Sequence, residues 1–114
     1  MAIKAHVGFS VPAAGRLREC VVSHFCRLGY RLAEDGAAGW VFRRGNKLAT
    51  LWRFDVRAYD TTLRVQTATE PNGSTWVSCD WDVYTLMTLA TGSDTATLEA
   101  EGRQLESVLR QQTR

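Results

Sequence analysis

Few residues in this chain could do chemistry. There are two histidines and three cysteines in 114 residues. Cys20 and His24 are four apart, so on a helix they share a face, and a thiol beside an imidazole is the start of a nucleophilic pair. No orienting acid or oxyanion donor accompanies them at a telling spacing. His6 belongs to an alternating stretch and faces outward, so both histidines are expected to be structural or incidental. Asp80 and Asp82 are two apart in an extended segment, which puts their carboxyls on one side about 7 Å from each other. Carboxylates so placed suit acid–base work. However, Arg64 is expected opposite Asp80, and Arg43, Arg44, Arg53 and Arg57 offer further partners, so a solvated face of ion pairs is the better explanation of them. No phosphate-binding glycine motif and no nucleophile elbow occurs. Catalytic, cofactor-binding and metal-ligating residues are therefore expected to be absent.

The cysteines support the same reading. Cys20, Cys26 and Cys79 are odd in number and lack a short-spaced pair, which argues against a disulfide framework and against a zinc site. Cys20 and Cys26 would point about 120° apart on a helix. Buried reduced thiols in a cytoplasmic protein are the expectation. No apolar run approaches the length of a membrane span, and the first residues lack a signal-peptide core. Asn72-Gly73-Ser74 matches a glycosylation sequon but is accounted for by turn chemistry.

The elements that must position these residues are organised around Asp60–Tyr84. Leu63, Val65, Thr67 and Thr69 alternate with Thr62, Arg64, Gln66 and Ala68. Val77, Cys79, Trp81 and Val83 alternate with Trp76, Ser78, Asp80, Asp82 and Tyr84. Period two over this length predicts two strands, each with one buried face. Between them, Pro71-Asn72-Gly73 has the chemistry of a three-residue hairpin loop ending in a left-handed glycine. That loop pairs Glu70 with Ser74, and the register follows: Leu63 opposite Trp81, Val65 opposite Cys79, Arg64 opposite Asp80.

Around the hairpin, residues 3–9 read as a first strand. Ser10 and Pro12 read as the start of a helix over about 11–28, and Gly29 as its cap. Tyr30–Asp35 and Trp40–Arg44 read as short strands joined through Gly36 and Gly39. Residues 47–59 fit strand and helix templates alike and are expected to form a short helix or an irregular excursion. Thr91 and Asp94 have capping-box spacing before a final helix. Leu98, Leu105, Val108 and Leu109 form its apolar stripe, with Glu99, Glu101, Arg103 and Glu106 covering the rest. Gly102 falls on the apolar side, as if the helix lay close on the sheet there.

The chain is thus expected to be one domain, residues 1–114, of α+β class. Its expected order is β-α-β-β-(excursion)-β-β-α, a curved and mainly antiparallel sheet with both helices on one face. That order resembles the TBP-like arrangement and a reduced helix-grip, an analogy of fold that carries no function. Gly39-Trp40-Val41-Phe42-Arg43-Arg44-Gly45, Asp55, Thr62-Leu63-Arg64-Val65, Trp81-Asp82-Val83-Tyr84-Thr85 and the glutamate-rich last helix together resemble a small bacterial domain without an assigned activity. The resemblance spans about residues 15–110. It implies the fold and a bacterial origin. Many such domains lie beside membrane-spanning segments, which this sequence lacks.

Three functional classes remain, in this order. The first is a protein-interaction or self-association module, a homodimer or a partner surface built from Trp76, Tyr84, Arg64 and Asp80, with Trp40 and Trp52 as further exposed aromatics. The second is a binder of a small apolar ligand, with a cavity between sheet and last helix lined by Phe9, Leu63, Trp81 and Leu105. The third is nucleic-acid binding through the Arg/Trp segment 40–57. A net charge of +2 and a pI near 8.6 weigh against that third class. Arginine outnumbers lysine twelve to two, which reads as genomic base bias first.

Overall fold

The computed structural model describes residues 2–12, 16–45, 60–84 and 92–112. They form β1 (Ala2–Val11), α1 (Leu17–Arg27), β2 (Arg31–Asp35), β3 (Gly39–Arg44), β4 (Thr61–Thr69), β5 (Thr75–Tyr84) and α2 (Gly92–Gln112). The strands make one five-stranded sheet in the order β1-β5-β4-β3-β2. Every pairing is antiparallel. This is the expected α+β architecture. The ambiguous stretch at 47–59, with Trp52, lies outside the described residues.

The central hairpin has the register its turn dictates. Leu63 pairs with Trp81, Val65 with Cys79 and Arg64 with Asp80. Glu70 N–H donates to the Ser74 carbonyl at 2.8 Å, and Gly73 N–H to the Glu70 carbonyl at 2.9 Å. Gly73 has φ +87°, the left-handed conformation that closes this loop. The Asn72 side chain completes it by accepting from the Ser74 amide at 3.0 Å.

The first helix starts later than the sequence suggests. Ser10 and Val11 belong to β1, and the alternation of buried Ala5, Val7, Phe9 and Val11 runs to the end of that strand. Ser10 caps nothing; its hydroxyl donates to Glu70 at 2.6 Å. α1 opens at Arg16 without a side-chain cap. Period two continued through Val11 outweighs the local capping signal of Ser10 and Pro12. The C-terminus of α1 is as expected. Gly29 has φ +95°, and Gly29 and Tyr30 donate to the carbonyls of Cys26 and Phe25, the paired bonds of a left-handed helix cap.

The alternation along each strand separates two faces. Ala5, Val7, Phe9, Val77, Cys79, Trp81, Leu63, Val65, Trp40 and Phe42 are buried on one face, where α1 and α2 cover them with Val21, Phe25, Leu98, Leu105 and Leu109. Close approach of α2 explains Gly102. A methyl group there would lie 2.8 Å from Trp81 Cη2 and 3.0 Å from Val7 Cβ. The four residues expected to line an apolar cavity, Phe9, Leu63, Trp81 and Leu105, are all members of this core.

Candidate interaction surface

The outward face is where the remaining polar and aromatic side chains collect. Lys4, His6, Gly8 and Ser10 from β1 stand beside Asp82, Asp80, Ser78 and Trp76 from β5, with Thr62, Arg64, Gln66 and Ala68 from β4 beyond them. None of these lies in the buried core. Trp76 and Tyr84 are the large hydrophobic side chains exposed among the described residues, each 40% accessible. Trp76 does not stand up from the sheet. Its ring lies over Gly8, where a Cβ would be 2.6 Å from Trp76 Cζ2 and 3.3 Å from His6 Nε2. Gly8 interrupts the side-chain pattern of β1, and the indole occupies the vacated space, an aromatic covering a strand glycine. An open cleft of about 490 Å³ flanks the same indole, between Ala68, Gln66 and Ser78 on the sheet and Ala38 and Gly39 of the β2–β3 loop.

The charges form a second group. His6 Nδ1–H donates to Asp80 Oδ1 at 2.7 Å, and the Ser78 hydroxyl donates to Asp80 Oδ2 at 3.3 Å. Arg64 is the cross-strand neighbour of Asp80, as expected, but the carboxylate is engaged by His6 and Ser78. His6, Arg64 and Asp80, with Lys4, Thr62 and Asp82, line an open cleft of about 480 Å³. A histidine held by a carboxylate is half of an acid–base relay. Here the Ser78 hydroxyl turns to the same carboxylate, and His6 Nε2 lies over Gly8 beside Trp76, so among the described residues no nucleophile is presented to it. Arg43 pairs with Asp60 at 3.1 Å at one end of the face. Both members of this outer set are partly exposed, and such pairs add little to stability.

Trp40 does not join this surface. It is 5% accessible and faces the core from β3. Trp40, Phe42 and Arg44 alternate together, so Arg44 also turns inward, away from the aspartates it was expected to serve. Glu101 is likewise buried, not part of the polar side of α2. Arg44 and Glu101 meet beneath the helices, with Nη1 to Oε2 at 2.9 Å and Nη2 to Oε1 at 3.3 Å. Tyr30 OH donates to Glu101 Oε1 at 2.8 Å and accepts from the Trp81 indole N–H at 3.1 Å. The Arg44 guanidinium lies 4.0 Å over the Tyr30 ring and also donates to the Leu28 carbonyl at the end of α1. Burial, with the Glu101 charge beside it, pushes the Tyr30 phenol up out of any physiological range. His24 Nε2–H donates to the Glu101 main-chain carbonyl at 3.0 Å. Burial is also the main influence on His24 and lowers its pKa, so the imidazole is neutral. With Nε2 on that carbonyl, His24 is spent as a structural donor, and the Cys20–His24 pair has no free base on that nitrogen. The Cys79 thiol, buried in the core, is pushed up to about 12 by desolvation and by Asp80.

Two signals in the sequence could have found this cluster. Arg44 keeps the parity of Trp40 and Phe42. Glu101 sits three after Leu98 and four before Leu105, inside the apolar stripe. Among the described residues no group of three or more acidic, histidine or cysteine side chains could hold a metal ion, and no helix is long and apolar enough to cross a membrane. The chain matches no protein-family model, and no curated protein matches it.

Proposed function

We propose that this chain is a non-catalytic interaction module that self-associates through the outward surface around Trp76. One observation carries the reading: an indole 40% accessible, on a sheet face that neither helix covers, next to an open cleft. An aromatic so placed is a common anchor of protein interfaces, and burying its exposed part releases apolar area from water. The charges beside it suit a second copy. Lys4 and Arg64 flank Asp80 and Asp82, so the face carries both signs and does not repel a second copy by like charge. The neighbouring polar groups do not assemble a catalytic set, since His6, Ser78 and Asp80 are bonded among themselves.

Sedimentation of the purified chain up to high micromolar concentration tests this reading. A mass rising towards twice the monomer, and falling back in Trp76→Ser with the fold retained, is the expected result. A mass that stays monomeric throughout the range overturns it.

A further inference from the structure

The two edges of the sheet are not alike. β2 is five residues long, carries a bulge between Leu32 and Glu34, and is studded with Arg31, Glu34 and Asp35. Short length, a bulge and charge are the devices that keep an edge from pairing. β1 has ten residues in unbroken register with β5, and Lys4 is its lone lysine, arginine or carboxylate side chain. The direction of its backbone groups follows from the hairpin. Glu70 N–H donates to Ser74, and Tyr84 N–H to Asp60, so even-numbered residues of β5 address β4. Odd-numbered residues of β5 therefore address β1, where their partners are Ala5, Val7 and Phe9. The main-chain groups of Lys4, His6, Gly8 and Ser10 point to the free edge. Among the described residues Arg110 alone is seen to bond there, donating to the Ser10 carbonyl at 3.1 Å.

We infer that a second copy adds to this edge, β1 against β1 in antiparallel fashion about a two-fold axis at Val7, giving a continuous ten-stranded sheet. The inference rests on the self-association reading and names its geometry. With the axis at Val7, His6 stands opposite Gly8 of the second copy, and Lys4 opposite its Ser10. Both matches are favourable. The indole of Trp76 lies over Gly8, so each imidazole packs on the exposed ring of the other copy. The Ser10 hydroxyl holds Glu70, so each Lys4 ammonium meets a carboxylate. An axis at His6 would instead oppose the two imidazoles and leave Lys4 without an acid. Strand addition thus pairs the edge groups of Lys4, His6 and Gly8 and packs a side chain on Trp76 in a single event, with the Ser10 carbonyl shared with Arg110.

Cysteine cross-linking in a Cys26→Ser background tests the geometry, because Cys26 is the exposed native thiol. Opposed Cα atoms in such a ladder are about 5.5 Å apart, within disulfide reach. Lys4→Cys/Ser10→Cys should give a covalent dimer under mild oxidation, and His6→Cys alone should not. Cross-linking by His6→Cys and not by the double variant overturns the stated register. A dimeric mass lost in Trp76→Ser, with no cross-link in either variant, overturns the edge pairing and leaves the Trp76 surface standing. A monomeric mass at all concentrations removes both. The unsubstituted chain supplies a check that no variant can spoil. Amide exchange at His6 and Gly8 should slow as concentration rises. Exchange that stays fast at concentrations where the mass is dimeric rules the pairing out.

Discussion

Arg44 and Glu101, 57 residues apart in sequence, form a two-pronged ion pair in which both side chains are about 95% buried. The pair ties the last residue of β3 to the middle of α2, and its bond to the Leu28 carbonyl brings in the end of α1. Breaking such a pair leaves a charge stranded in a low dielectric, which costs about 3–5 kcal/mol, whereas replacing both partners by apolar groups is often neutral. Arg44→Met and Glu101→Leu are each expected to lower stability by about 3 kcal/mol, and the double variant to recover most of the loss. Urea denaturation of the four chains measures this. Additive losses in the double variant would show that the two charges do not depend on one another.

A pH effect follows from His24. Its folded pKa lies below the ordinary value of 6.5 because burial disfavours the imidazolium. The unfolded chain then binds the extra proton first, so the contribution of His24 is present above about pH 6.5 and is lost progressively as pH falls from there towards the lower folded value. Asp35 and Glu106 act in a different window. Arg18 holds the Asp35 carboxyl below its usual range and Arg110 does so for Glu106, so what they contribute is lost below about pH 4.5. Between pH 7 and 5 the melting temperature should fall, and His24→Gln should flatten that slope, since an amide can still donate to the Glu101 carbonyl. An equal slope in the variant would assign the effect elsewhere.

Gly102 tests how closely α2 lies on the sheet. Alanine is the better helix former by about 1 kcal/mol. Against that, its methyl would stand 2.8 Å from Trp81 and 3.0 Å from Val7, both held in the core. Overpacking of this kind costs about 1–3 kcal/mol. Gly102→Ala should therefore lower the melting temperature despite the propensity gain. A rise would mean that the helix can lift without loss.

Gly73 isolates a purely backbone effect. A side chain there would meet nothing within 4 Å, so space is not limiting. Its φ of +87° is the restriction. Gly73→Val should destabilise by about 1 kcal/mol or more, and Gly73→Asn by less, because asparagine tolerates the left-handed region. Thermal melts of the two variants rank them.

These residues also mark what the sequence alone discloses. The register of β4 on β5 was legible because a turn of fixed chemistry sets it and a one-residue slip would expose Leu63, Val65 and Trp81 together. The cluster was not read, because arginine and glutamate are assigned to solvent by type. The parity of Arg44 and the helical position of Glu101 opposed that assignment, and Tyr30 and Leu28 offset part of the cost of burial by bonding Glu101 and Arg44 Nη1, while Arg44 Nε finds no partner among the described residues. The outward position of Trp76 was legible from alternation. Its posture over Gly8 was not, because that depends on which strand lies beside β5, and β1 reaches that place from the far end of the chain.

The posture of Trp76 gives the last prediction. At Gly8 any Cβ would fall within 2.6 Å of the indole, so Gly8→Ala must lift the ring off the sheet. The substitution leaves the backbone of β1 and its pairing with β5 intact, since alanine suits a strand at least as well as glycine. Two effects should then part company. Stability should change little, because the displaced ring is already 40% accessible and the new methyl covers the gap it leaves. Association should weaken several-fold, because the flat aromatic surface against which a second copy packs has been lost. Gly8→Ala read beside Trp76→Ser separates the loss of the ring's posture from loss of the ring itself. Unchanged association in Gly8→Ala, with Trp76→Ser monomeric, would mean that the indole works as an upright anchor and not as a flat platform. Weakened association in both, with melting temperatures near that of the unsubstituted chain, is the expected pattern.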